Sequence, residues 1–235
     1  MSQTQLQTEA HGQSQTLREA LCKGLTALGI ELTEYQIAQL LTYQDLIAKW
    51  NKVYNLTAVR AADDMLRHHL LDSLAALPAL HRHLRALPTA LSADDRALKL
   101  LDVGSGAGLP GVVFAICCPP LQVTCVDTVG KKAAFVQQAA SSLQLPNLKA
   151  VHARVEALKG ADFDVVCSRA FASLADFTVW SRDALAPTGV WMAMKGKHPA
   201  EELAVLPPSV KVFHVEQLKV PGLHAERCLL WLRAE

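Results

Sequence analysis

The stretch that most restricts the fold is a short apolar run, Leu98-Lys99-Leu100-Leu101-Asp102-Val103, that stops abruptly in glycines and resumes as an apolar helical pattern from Gly111 to Cys117. Such a run reads as a buried parallel strand. A strand passing into glycines and then into a helix gathers backbone N–H groups and a helix N-terminus at one point, where a polar ligand can be held. Further strand-like runs follow at Val123 to Asp127, Leu148 to His152, Phe163 to Ser168, Gly189 to Lys195, Val210 to Val215 and Cys228 to Leu232. Helical patterns lie between them at Lys131 to Leu143 and Leu174 to Leu185. The alternation implies a doubly wound, mostly parallel sheet of seven strands with right-handed crossovers.

Ahead of Leu98 there is no strand signal. Leu17, Ala20, Leu21, Leu25 and Leu28 recur at helical spacing, with Gly29 as a stop. Thr33 is placed to cap a second amphipathic helix up to Trp50, and the polar stretch Asn51 to Asn55 reads as a break after it. A third helix is expected from Met65 to Leu77, ended by Pro78. The chain therefore divides into a Gln/Ser/Thr-rich disordered lead-in at 1–15, a helical region at 16–90 and a Rossmann-like domain at 91–235.

With 235 residues, 51% apolar and 19% charged, the chain suits one α/β domain with a helical appendage. Its apolar runs are far shorter than the ~20 residues that cross a bilayer, and the N-terminus has no apolar signal-peptide core, so a cytoplasmic protein without membrane contact is expected. The six cysteines include no C-x-x-C pair and read as reduced core thiols. A net charge of +1 means that an anionic partner must be recognised by a local basic patch.

Two registers compete for the glycine loop. Gly106-Ala107-Gly108-Leu109-Pro110-Gly111 satisfies the dinucleotide pattern G-x-G-x-x-G, with Asp127 about 20 residues beyond. Starting at Gly104 instead gives Asp-x-Gly-x-Gly-x-Gly, the form used for S-adenosylmethionine. The first register extends the strand to about Ser105 and strands Asp102 inside it at a desolvation cost. The second ends the strand near Val103 and brings Asp102 to the carboxyl edge, where it can meet the amino group of a methionine moiety. Asp127, closing the second strand, can accept both ribose hydroxyls. Arg154-Val155-Glu156, after the third strand, stands where such folds hold the adenine edge. The residues favour S-adenosylmethionine but leave NAD(P) open.

Five separated blocks carry a resemblance over nearly the whole chain: Trp50-Asn51-Lys52-Val53-Tyr54-Asn55-Leu56-Thr57, His68-His69-Leu70-Leu71-Asp72-Ser73, Asp102 to Gly111, Ser168-Arg169-Ala170-Phe171-Ala172-Ser173 and Lys195-Gly196. In these the chain resembles the bacterial small-subunit ribosomal RNA guanine-N7 methyltransferase family (RsmG, or glucose-inhibited division protein B). The resemblance implies a class I S-adenosylmethionine-dependent methyltransferase sheet with a helical N-terminal region. It also implies methyl transfer to guanine N7 in the decoding-region hairpin of 16S rRNA, within the 30S subunit or an assembly intermediate. Gly104, Gly106, Gly108 and Leu109 would line the methionine and adenosine side, Val155 and Glu156 the adenine side, and Arg169 the methyl-transfer pocket. His68 stands where many members carry Lys or Arg.

Guanine N7 has a lone pair and no proton, so a general base is not needed and positioning and electrostatics should dominate. No Asn-Pro-Pro-Tyr-type motif follows the fourth strand. Arg169 there can hold guanine O6 or a phosphate, and Phe171 can stack on the base. Cations expected around the pocket mouth are Arg67, Lys131, Lys132, Arg154, Arg169, Lys195, Lys197 and Arg227, joined by Asn51 and Asn55 in gripping RNA. The pairs His68-His69 and His81/His83 lack companion ligands at metal spacing, so no metal is expected. Cys117-Cys118 falls on the side away from the chemistry. An NAD(P)-binding enzyme and a non-enzymatic rRNA- or ribosome-binding protein are the alternatives, and a monomer suffices for each.

Overall fold

The computed structural model describes residues 3–87, 96–171 and 173–235. Its helices are α1 (Gln3–Leu28), α2 (Glu34–Tyr54), α3 (Ala62–Met65), a π-helical turn (Leu66–Leu71), α4 (Asp72–Leu74), α5 (Leu77–Ala86), α6 (Gly111–Cys117), α7 (Gly130–Ser142), α8 (Leu174–Trp180) and α9 (Ala200–Ala204). The strands are β1 (Lys99–Val103), β2 (Gln122–Asp127), β3 (Leu148–His152), β4 (Phe163–Arg169), β5 (Leu185–Lys195), β6 (Val210–Gln217) and β7 (Cys228–Ala234). They form one sheet in the order β3-β2-β1-β4-β5-β7-β6. The first five run parallel, and β7 enters antiparallel between β5 and β6. The chain winds outward from β1 through β2 to β3 and then returns past β1 to β4. The order thus reverses between β1 and β4, and a crevice opens there at the carboxyl ends.

Every expected strand is present; the central runs are apolar and buried on both faces, while the edge strands β3 and β6 are only partly covered. Leu100, Cys125, Val165 and Met192 face α6 and α7 and share one core with Leu21, Leu40, Ile47, Leu70 and Leu74 of the N-terminal helices. The alternate residues Leu101, Val103, Val166 and Trp191 face α8 through Leu174 and Phe177. The N-terminal helices therefore form part of the layer that covers one face of the sheet.

Four local readings change. α1 begins at Gln3 and takes in residues 3–15, expected as a disordered lead-in; Gln, frequent there, is a good helix former. α2 begins as expected, with Thr33 and Gln36 forming a reciprocal capping box, but it runs on to Tyr54 through the expected polar break. The break moves to Asn55, a left-handed residue at the helix end. Pro78 does not end a helix; it sits in the first turn of α5, where its missing N–H costs nothing.

Asn51 is inside α2 and buried, which removes it from the expected RNA-gripping set. Its amide donates to Val59 O at 3.2 Å, and its Oδ1 accepts from Thr57 N–H at 2.9 Å. It braces the loop that leads from α2 to α3. Replacing it leaves a buried N–H and a carbonyl without partners, so Asn51→Ala should lower unfolding free energy by about 1–3 kcal/mol in urea titrations. Affinity for S-adenosylhomocysteine at temperatures where the variant is folded should be unchanged.

Candidate functional site

The pleat of the sheet assembles three charged residues. Asp102 pairs in register with Cys125 on β2 and Cys167 on β4. Asp127 and Arg169 lie two residues further along those strands, on the same face and about 7 Å nearer the carboxyl edge. Asp102 thus sits at the floor of a notch whose walls carry an acid on one side and a guanidinium on the other. β1 ends at Val103, so the loop starts at Gly104, in the S-adenosylmethionine register rather than the dinucleotide one.

Asp102 was expected at the open edge, yet it is fully buried. Its Oδ2 accepts from Gly111 N–H, the first residue of α6, at 2.8 Å. Only glycine allows this approach: a Cβ at Gly111 would lie 2.5 Å from Cys125 Sγ and 2.9 Å from Asp102 Oδ2. Its Oδ1 has no partner among the described residues. Burial pushes the carboxyl up to about 7, against the pull of the Gly111 N–H and the Arg169 charge.

The loop follows Asp127. Gly104 and Ser105 N–H both donate to Val126 O, and Gly106 N–H donates to Asp127 Oδ2 at 2.9 Å. Gly106 has φ +60°, a conformation that suits glycine, and open space stands where a side chain would be. Gly108 packs on Val112 and Leu109 is buried in the core, so these two hold the loop down. Asp127 Oδ1 accepts from Val129 N–H at 2.8 Å. Each carboxylate oxygen has a second lone pair, so capacity for two hydroxyl donors remains.

Arg169 is held by an irregularity in the helical layer. In the π-helical turn the Asp72 N–H reaches back to Arg67 O instead of His68 O. The His68 carbonyl accepts Arg169 Nη1 at 2.7 Å, and the same nitrogen donates to Asp72 Oδ2 at 2.9 Å. Asp72 Oδ1 accepts Arg227 Nε at 2.6 Å. One buried carboxylate therefore joins the helical layer, the end of β4 and the start of β7. Beyond Arg169 the chain turns at Ala170, a non-glycine residue at φ +60°. Phe171 then stands over Gly104, 3.7 Å from where a Cβ would be. His69, in the same turn, pairs through Nε2 with Thr57 Oγ1 at 2.9 Å, and burial lowers it to about 4, so its ring is neutral at pH 7.

Beside the notch lies a cavity of about 300 Å³, lined by Gly104, Asp127, Arg154, Val155, Glu156, Phe171 and Trp180 among others. Val155 and Glu156 open a single 3-10 turn after β3. Trp180 packs edge-on against Phe171 at 5.7 Å. It was not anticipated, because nothing in the order Leu174 to Trp180 reveals which turn of α8 reaches the cavity. Asp72 was noticed only as part of a block, since its partners are 97 and 155 residues away. The residues fit S-adenosylmethionine: a buried unpaired acceptor suits an ammonium, a strand-end acid suits a ribose, and a half-apolar cavity suits an adenine.

The expected cations separate into two groups. Lys195 is nearly buried and bonded to Glu202 Oε2 at 2.8 Å and to Phe171 O, so it anchors α9 rather than facing outward. Arg227 is tied to Asp72, Arg154 to Glu156 at 2.8 Å, and Arg67 to Asp64. Lys131 and Asn55 are exposed, and Lys132 lies 4.0 Å from Asp127. Among the described residues no cluster of His, Cys, Asp and Glu could hold a metal. Cys117 ends α6 and Cys118 follows it on the far side, with Cys118 raised to about 12 by burial, which makes it a poor nucleophile. Among the described residues no helix is long and apolar enough to cross a membrane.

Comparison with known proteins places this geometry. Residues 36–230 match the GidB family, described as rRNA small subunit methyltransferase G. "Ribosomal RNA small subunit methyltransferase G" of Polaromonas sp. strain JS666 is 68% identical over 212 residues, 90% of this chain and 91% of that protein. The protein of the same name from Methylibium petroleiphilum is 55% identical, covering 96% and 98% of the two chains. Among solved structures, a TehB-like SAM-dependent methyltransferase from Corynebacterium glutamicum aligns with a TM-score of 0.50 at 15% identity, over 83% of this chain and 98% of that one. TrmN from Thermus thermophilus aligns with a TM-score of 0.50 at 21% identity, over 72% and 53%. At these identities the two structures speak for the fold alone.

The Asp72 bridge generates a stability test. Asp72→Ala leaves two arginines partly buried without their counter-charge and should cost about 3–5 kcal/mol, read from denaturant melts. The double variant Asp72→Ala/Arg227→Ala should recover part of that loss, because one of the stranded charges is gone.

Proposed function

The chain belongs to the rRNA small subunit methyltransferase G family, and from that premise we propose that it methylates N7 of a guanine in the decoding-region hairpin of 16S rRNA. It is an S-adenosylmethionine-dependent rRNA methyltransferase. The observation that carries the finer reading is the site itself: a cofactor notch beside an anchored arginine, with no group placed as a general base among the described residues. Asp102 is buried, and His69 is neutral and already paired. A guanine N7 needs no base, whereas an exocyclic amine has protons to lose.

S-adenosylmethionine, when bound, supplies an electrophilic methyl group on sulfur. Asp102 Oδ1 would accept from its ammonium, Asp127 from its ribose hydroxyls, and Val155 and Glu156 would flank its adenine. Gly104 and Gly106 keep the loop backbone clear of side chains along this edge. Arg169 holds the guanine through O6, using the guanidinium donors that Asp72 and His68 O leave unoccupied. Its fixed position contributes orientation. Phe171 covers the notch from the β4 side. Lys131, Lys132 and Asn55 contact the RNA backbone. Arg154, Lys195 and Arg227 contribute through the pairs that shape the pocket. The enzyme works as a monomer in the cytoplasm, on rRNA within the 30S subunit or an assembly intermediate.

Incubating the protein with labelled S-adenosylmethionine and unmodified 30S subunits, then mapping N7-methylguanine, tests the reading. Transfer to one guanine of 16S rRNA is expected, and transfer to another base or atom would overturn it. Arg169→Ala should lower kcat/KM about 10²–10³-fold, with S-adenosylhomocysteine affinity changed far less.

Asp102 gives a pH prediction. The folded carboxyl keeps its proton to about pH 7, while an unfolded one loses it near 4, so stability of the free protein falls as pH rises through that window. A bound ammonium selects the carboxylate. Affinity for S-adenosylhomocysteine should therefore rise about tenfold per pH unit up to pH 7 and level off above it. Calorimetry across pH 5.5 to 8.5 checks this, and Asp102→Asn should flatten the profile.

A further inference from the structure

We propose that the C-terminal turn of α2, together with the first turn of α7, forms a ledge on which an unpaired base of the substrate RNA stacks against Tyr54. The proposal rests on the rRNA function above and adds a docking surface to it.

The two helices run antiparallel. The Gln39 amide of α2 donates to Leu143 O, at the end of α7, at 2.6 Å. Higher up, Trp50 meets Phe135 edge-on with ring centroids 5.5 Å apart. Tyr54 lies four residues beyond Trp50 and 5.1 Å from its ring, and Lys131 lies four residues before Phe135. Each is one helical turn, about 5.4 Å, above the same contact. Tyr54 and Lys131 therefore reach the rim at similar height. α7 starts three residues after Asp127, so this rim is the carboxyl edge that holds the cofactor notch.

The ledge exposes an apolar and an aromatic residue side by side. Val53 is 71% and Tyr54 40% accessible, although both are apolar or aromatic residues at the end of a well-capped helix. No acidic residue occurs from Ala48 to Ala62, while Lys49, Lys52 and Arg60 do. These three and Lys131 are exposed and make no ion pair among the described residues. Asp45, one turn below Lys49, is the acid next along α2. Exposed cations that make no ion pair among the described residues, on the same terminal turns as an accessible ring, match a polyanion that carries flat apolar faces. The Trp50 ring backs Tyr54 and limits its motion, so little side-chain entropy remains to be lost on stacking.

Methyl-transfer kinetics on unmodified 30S subunits, and binding to 16S rRNA extracted from them, test the ledge. Tyr54→Ala should raise KM for RNA about tenfold, with kcat and calorimetric S-adenosylhomocysteine affinity unchanged. Tyr54→Phe should restore KM, because the ring rather than the hydroxyl does the stacking. Lys52→Ala should lower the slope of log affinity against log salt by about one. An unchanged KM in Tyr54→Ala overturns the proposal. So does an effect confined to whole 30S subunits and absent on extracted rRNA, since that would assign the surface to a ribosomal protein. A wild-type protein that binds S-adenosylhomocysteine but transfers no methyl to rRNA would overturn the function itself, an outcome visible before any Tyr54 variant is made.

Discussion

The Asp72 carboxylate, held between Arg169 and Arg227, is the contact on which the arrangement of the site depends. Nothing else described ties the helical layer, the end of β4 and the antiparallel hairpin together at a single atom group. Burying three charged groups is expensive, and their mutual attraction offsets that cost without adding much net stability. The benefit is position. Arg169 has several rotatable bonds, and a free guanidinium at a strand end would sample many orientations. Two acceptors on one of its nitrogens, both fixed in a helix, leave it close to one.

The π-helical turn follows from the same requirement. A regular α-helix through Leu66 to Leu71 would give the His68 carbonyl the Asp72 N–H as a second donor beside Arg169. Widening the turn by one residue frees that carbonyl at a small local cost in hydrogen-bond geometry, and the Arg169 contact offsets it. It also explains why the N-terminal helices are more than a cover for the sheet. They share its core through Leu40, Leu70 and Leu74, and they supply the acceptors that set the chemistry.

What the sequence made legible and what it hid divide along range of interaction. Thr33 and Gln36 form their capping box within three residues, and β3 lies where its apolar run lies, because both depend on neighbours in the chain. The loop register was decided by where β1 ends; the desolvation argument reached that register on a premise that fails, since Asp102 is fully buried in it as well. The fates of polar residues were less legible. Asn51 reads as an exposed break, but its loop partners Thr57 and Val59 come from a bend that the pattern does not announce. Lys195 reads as a strand-end cation, yet Glu202 lies in a short helix too weakly periodic to be foreseen. Pro78 carries the same ring constraint in either reading, and only tertiary packing makes it a start rather than a stop.

Charge shows the same division at the scale of the molecule. A net charge of +1 predicts little long-range attraction to RNA, and several of the cations near the site are neutralised by internal partners. Those pairs fix geometry and add little to the outward field. The positive potential that meets the substrate must then come from residues whose charge is not spent inside, and Lys49, Lys52, Arg60 and Lys131, where α2 ends and α7 begins, are among these. Separating the two tasks has a physical advantage. An arginine that both oriented a base and attracted phosphate would be pulled from its place by every backbone group that passed. Anchored cations in the notch and unpaired ones on the rim let the protein capture a polyanion without disturbing the group that aims the base.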